Sequence, residues 1–358
     1  MIKNKLIHIE YMRVFFAFCI LIVHLKGNIL PQWNSLHFTD VNFFTKSMYF
    51  IFNLAPHVVN CGFFCVSGYL VAFIHWDKIL SGSFDVRKFI TTRFYLLYLP
   101  YVLIILLGSV IEFLYSGKLN FWVNFQQIFF YGGDWLNLPK VNYYLWFMIY
   151  EFWFSFFVVS AYLLKRGATH NKIFGGLLIL LFFMLVFFKF DTDFVLAWFV
   201  SFLFGCVSNR IRVVPNRLLC IVSILFFIVL YKLSSHYNVI DIGYFSKLFL
   251  YVSFVIFGYI LVEKKMARLA KNSLEKCVLV MSKYTFSLYL TQGVVIYLYN
   301  IYYVQENRLD FNVFKDFMFC FLLCVFVAYL YKKTIIDMFS FFMKKNKLLT
   351  ENVNAKSL

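Results

Sequence analysis

Arg13 and His24 stand eleven residues apart in HIEYMRVFFAFCILIVHL, a stretch that is otherwise almost wholly apolar. Ionisable side chains in such a setting are costly and are functional candidates by default. At 100° per residue, eleven steps end about 20° past three full turns. Both side chains therefore share one face of a helix, roughly 16 Å apart along its axis. Glu10 lies one turn before Arg13 and is spaced to pair with it. One helix thus offers a deep cation and, with an unperturbed pKa of about 6.5, a base suited to moving a proton near neutral pH. On geometry alone a blander reading stays open, with His24 at a membrane interface and Arg13 snorkelling to headgroups. Glu151, within LWFMIYEFWF, is a further carboxylate in an aromatic setting. Left alone in hydrocarbon it is expensive, so a polar role is expected, orienting an arginine or His24 or forming a structural ion pair.

The elements that must carry these residues are legible in the composition. Of 358 residues, 62% are hydrophobic and 14% charged, against about 25% charged in a soluble domain. The chain reads as an all-α protein, a polytopic bundle of transmembrane helices. Ten apolar stretches approach the roughly 20 residues a span needs: 6–25, 50–74, 94–115, 143–164, 173–189, 194–208, 217–233, 245–262, 283–303 and 311–331. The connections between them alternate in charge. One side holds 24 of the 34 Lys and Arg, among them Lys78, Arg87, Lys88 and Arg93. The positive-inside rule puts that side, and with it both termini, in the cytoplasm. Topology thereby accounts for the net charge of +17, and nucleic acid is not an expected partner. On this orientation Arg13 sits toward the cytoplasmic half of the first span and His24 near its outer end.

The domain expectation is one transmembrane domain over residues 1–335, then a polar cytoplasmic tail over 336–358, expected to be disordered after Lys344. The first span reads as an uncleaved signal anchor, since His8, Glu10 and Arg13 interrupt it and no small-x-small site follows. Residues 83–92 and 263–283 read as short interfacial helices, and 116–142 as a turn-rich, aromatic outer connection. The eight Cys form no CxxC and keep no ligand spacing with a His, so they read as packing residues. No metal site is expected. Ser67-Gly68 fits either close helix packing or a pocket lining, and Trp146 either an interfacial belt or a pocket wall.

Five short motifs, in order, resemble the acyltransferase-3 family of multi-pass membrane proteins. They are RVFFAFCILIVH with Arg13 and His24; GFFCVSGYL with Phe63, Phe64, Ser67 and Gly68; RFYLLYLPYV from Arg93 to Pro100 and Tyr101; LWFMIYEFWF with Trp146 and Glu151; and SKYTFSLYLTQ. Two positions depart from the family pattern. Leu97 stands where a second arginine is common before the Pro, and Gln292 where a His is common. The resemblance implies a membrane O-acyltransferase, most simply an O-acetyltransferase. Acyl-CoA (acetyl-CoA) would be a co-substrate rather than a resident cofactor, and the acceptor a hydroxyl of a surface polysaccharide or its lipid-linked precursor. His24 would be the base or carry the acyl group, and Arg13 would bind phosphate or an oxyanion. Glu151 would assist them, Arg93 would meet the nucleotide end of the donor, and Ser67, Gly68, Trp146 and Glu10 would line the site. The implied location is a bacterial plasma membrane, in keeping with a Phe-, Lys-, Ile- and Asn-rich composition typical of AT-rich genomes. A transporter, flippase or polymerase of lipid-linked glycans is the competing class. The absence of internal repeats weighs against a transporter, and an outer loop of only about 25 residues against a polymerase.

Overall fold

The computed structural model describes residues 7–29, 56–118, 121–129, 141–166, 168–188, 192–208, 273–303, 311–343 and 345. Their regular structure is entirely helical. In chain order the α-helices are α1 (Ile7–Ile29), α2 (Pro56–Ser81), α3 (Val86–Arg93), α4 (Leu99–Ser116) and α5 (Phe121–Ile128). There follow α6 (Phe147–Arg166), α7 (Thr169–Phe188), α8 (Thr192–Ser208), α9 (Ser273–Ser282), α10 (Thr285–Tyr303) and α11 (Phe311–Tyr331). Among the described residues, four continuous helical stretches are long and apolar enough to cross a bilayer: Val59–Ser81, Val86–Ser116, Tyr143–Lys165 and Lys315–Met343. The stretches expected at 217–233 and 245–262 lie outside the described residues.

Three elements differ from the sequence expectation. The helix expected over 83–92 is not a separate interfacial piece. The Asp85 side chain caps α3 by accepting from the Lys88 amide at 2.9 Å, and α3 then runs without a break through a π-helical turn, Phe94–Tyr98, into α4. Pro100 supplies the cause. It brings no amide hydrogen, and its ring crowds the carbonyl four residues back. The turn before it widens, so that the Leu99 amide reaches Phe94 O. Second, α5 occupies part of a connection read as a loop. Third, the last helix continues from α11 through a second π-helical turn, Lys332–Ile336, to Met343. Residues 336–343 thus belong to that helix rather than to the tail, because TIIDMFSFFM keeps the apolar spacing that a helix needs. The rest of the tail, residue 345 apart, lies outside the described residues.

The chain forms two compact units. In the first (Met1–Val23, Phe43–Phe84, Ser160–Thr285), α2 and α8 pack along their lengths. A Cβ on Gly68 would strike the Trp198 carbonyl oxygen, and one on Gly205 would sit 2.7 Å from the Tyr69 carbonyl oxygen. Small residues let these backbones approach, as packing in membranes favours. Cys65 Sγ donates to Ala197 O at 3.5 Å, and Phe64 meets Phe194 at 5.3 Å between ring centroids. The second unit (His24–Asn42, Asp85–Val159, Phe286–Leu358) contains α3 to α5, most of α6, most of α10, and α11. There the Tyr331 hydroxyl donates to Pro100 O at 2.6 Å, tying the last helix to the start of α4.

Candidate active site

In the second unit, four side chains gather around His24. The Tyr144 ring lies over the imidazole at 3.9 Å between centroids, with 31° between the planes. Tyr289 of α10 presents an edge at 6.5 Å and in turn packs on Phe147. Asn28, one turn beyond His24, donates to the His24 carbonyl at 2.7 Å and to the Tyr144 hydroxyl. The asparagine therefore fastens the stacking ring to the same helix that bears the histidine. Gln292, one turn beyond Tyr289, comes up beside the imidazole. Both Gln292 amide atoms and His24 Nδ1 are buried and make no hydrogen bond among the described residues. His24 itself is 8% exposed and Gln292 1%. Buried polar atoms placed this way suit one more polar group.

A short 3-10 turn, Tyr143–Trp146, leads into α6 and sets Tyr144 at its start. About one turn into α6, Glu151 Oε2 stands 3.9 Å from a terminal nitrogen of Arg93. The sequence left open whether Glu151 meets an arginine or the histidine; it lies with the arginine. The Arg93 guanidinium also covers the Phe89 ring at 5.2 Å. Beneath it Phe89, Phe94, Tyr98, Phe152 and Phe156 line a cavity of about 170 Å³. Seven residues separate Glu151 from Tyr144, about 11 Å along the helix. The cation and the imidazole thus meet residues seven positions apart on one continuous helical segment. Trp146 is half-buried and meets Tyr150 at 5.7 Å.

The remaining candidates lie in the first unit. Arg13 pairs with Glu10 at 3.1 Å, as the three-residue spacing implied. Gly68 is fully engaged in the α2–α8 contact, and Ser67 beside it is half-buried. Tyr144, Asn28 and Tyr289 were not singled out by sequence. Among 25 Tyr nothing local marks the two that touch His24. Gln292 was marked, by the motif in which it replaces a His. Among the described residues no group of three or more His, Cys, Asp or Glu is arranged to hold a metal ion.

The acyltransferase domain family, acyltransferase-3, matches residues 6–333. No curated protein and no solved structure matches the chain. The match takes in both units and extends from the Arg13–His24 helix to the second π-helical turn. With its long apolar helices, the chain belongs to the acyltransferase-3 family and is a polytopic membrane acyltransferase.

Proposed function

We propose that the protein transfers an acyl group, most simply acetyl, from cytoplasmic acyl-CoA to a hydroxyl of a surface polysaccharide or its lipid-linked precursor. The bacterial plasma membrane would house it, with both termini in the cytoplasm. The observation that carries this reading is the environment of His24: a buried imidazole, faced by Tyr144, which Asn28 fastens to the same helix, with the buried Gln292 amide beside it.

In the proposed reaction His24 accepts the proton of the acceptor hydroxyl as its oxygen attacks the thioester carbonyl. The carbon–sulfur bond then breaks, and the departing thiolate takes up the proton from the imidazolium. A neutral imidazole at working pH supplies such a base without a prior deprotonation step. The alternative step, in which His24 takes the acyl group onto nitrogen before passing it to the hydroxyl, uses the same residue. Arg93, oriented by Glu151 and lying at the basic end of the Val86–Ser116 helix, suits the donor's phosphates through its fork of donors. Arg13, held by Glu10, is the second candidate for an anionic group of the donor. Ser67, Gly68 and Trp146 are proposed as lining residues.

Deleting the gene tests the class of activity. Loss of an ester from an otherwise intact surface glycan supports the transferase. Loss of the glycan itself supports a transporter or polymerase instead.

A further inference from the structure

The helix α5 is polar where it should be apolar for a water-facing loop. Asn124 and Gln127 are 6% and 1% exposed, whereas Phe121, Trp122, Phe125 and Phe129 just beyond the helix are 70%, 66%, 40% and 60% exposed. The four rings form a ladder, with centroids 5.7 Å apart for Trp122–Phe125 and 4.5 Å for Phe125–Phe129. In water a short amphipathic helix buries its rings and exposes its amides. The reverse arrangement is the one hydrocarbon selects, because polar side chains there turn away from lipid and toward the protein.

The depth of α5 points the same way. The chain from Phe94 to Ile111 carries no charge, and at about 1.5 Å per residue it nearly fills a hydrocarbon core roughly 30 Å thick. Tyr101 and Ile105 lie well within that run. The Tyr101 hydroxyl donates to Gln127 O at 2.9 Å, and the Asn142 side chain donates to Ile105 O at 3.3 Å. The Gln127 amide in turn reaches Asn142 O at 3.5 Å. Ile105 is eleven residues, about 16 Å, back from the end of α4. The eight residues of α5, about 12 Å long, therefore descend beside α4 instead of standing off in solvent. Irregular backbone at such depth is tolerated when protein groups satisfy it, and here the Tyr101 hydroxyl and the Gln127 side chain do so for the carbonyls of Gln127 and Asn142.

We propose that α5 is a re-entrant helix whose ladder of Phe121, Trp122, Phe125 and Phe129 packs against phospholipid acyl chains. Its outer face continues an apolar surface already present on α4, where Leu107, Val110 and Leu114 are 47%, 54% and 75% exposed. No charged side chain occurs from Phe121 to Phe129, which leaves acyl chains rather than headgroups or an acidic glycan as the matching surface. A consequence follows for His24. Tyr144 is two residues beyond Asn142, so the segment that holds α5 against α4 also leads directly into the ring that covers His24.

The test uses the full-length protein in vesicles of phosphatidylethanolamine and phosphatidylglycerol doped with a phosphatidylcholine bearing a mid-chain diazirine. After photolysis, peptides covering α5 should carry lipid adducts at a level similar to those covering α4. In parallel, Trp122→Cys and Phe125→Cys should resist a membrane-impermeant maleimide that modifies Lys118→Cys, with labelling of the unsubstituted protein subtracted. Lipid adducts on α4 but not on α5, or maleimide reaction at 122 and 125 as fast as at 118, would overturn the proposal. So would protection of those cysteines only on adding surface glycan, which would assign the ladder to sugar stacking.

Discussion

At the scale of residues, His24 is held by a ring that lies over it and by an amide that fixes that ring. Asn28 and the Tyr144 hydroxyl share one hydrogen bond. Tyr144→Phe and Asn28→Ala should each lower the transfer rate about fivefold, the worth of one hydrogen bond near 1 kcal/mol. The double substitution should do no more than the more damaging single one, because both remove the same contact. Tyr144→Ala removes the ring as well and should cost more. Steady-state rates on all four variants decide this, and simple additivity would mean that the two residues act separately. Spacing alone made the Glu10–Arg13 pair legible, since partners three apart on one helix meet wherever that helix forms. The Tyr144 contact was not legible. It joins residues 120 positions apart in a chain crowded with aromatics, and only the packing of α1 against the start of α6 selects it.

At the scale of elements, two contacts carry predictions. The α2–α8 packing has room for hydrogen alone at Gly68. Gly68→Ala pushes a methyl into the Trp198 carbonyl and should lower stability by about 1–3 kcal/mol, as overpacking does. Gly68→Leu should leave little folded protein in the membrane. Thermal unfolding in detergent measures both, and an unchanged midpoint for Gly68→Ala would remove the packing role. The Arg93–Glu151 pair links α3 to α6. Arg93→Ala should raise the KM for acyl-CoA about tenfold while changing kcat less, since a charge-assisted hydrogen bond is worth about 1.5–3 kcal/mol. A fall in kcat at constant KM would place Arg93 at the reacting atoms instead. The length of the apolar runs located the four long helices of the described residues, because burial in a bilayer demands about 20 such residues whatever the neighbours are. It missed the π-helical turn before Pro100 and the helix α5, whose eight residues are too few to declare a period.

At the scale of the whole molecule, the proposed cytoplasmic termini rest on the charge asymmetry of the connections. A green fluorescent protein fused after Leu358 should fluoresce and an alkaline phosphatase fused there should be inactive; an active phosphatase would reverse the topology. Both the helical class and the family were readable from composition and five short motifs, since those properties depend on residue type rather than on tertiary contact. Which side chains surround His24 was not readable, because Tyr144 and the α10 residues Tyr289 and Gln292 reach it from distant parts of the chain. The central claim, that His24 performs the transfer, is tested most directly with labelled acyl-CoA and surface glycan in purified proteoliposomes. Removal of a general base lowers a rate by about 10²–10⁴-fold. His24→Ala, present in the membrane at the level of the unsubstituted protein, should therefore transfer label at least about 100-fold more slowly. Transfer by His24→Ala at the unsubstituted rate would contradict the account.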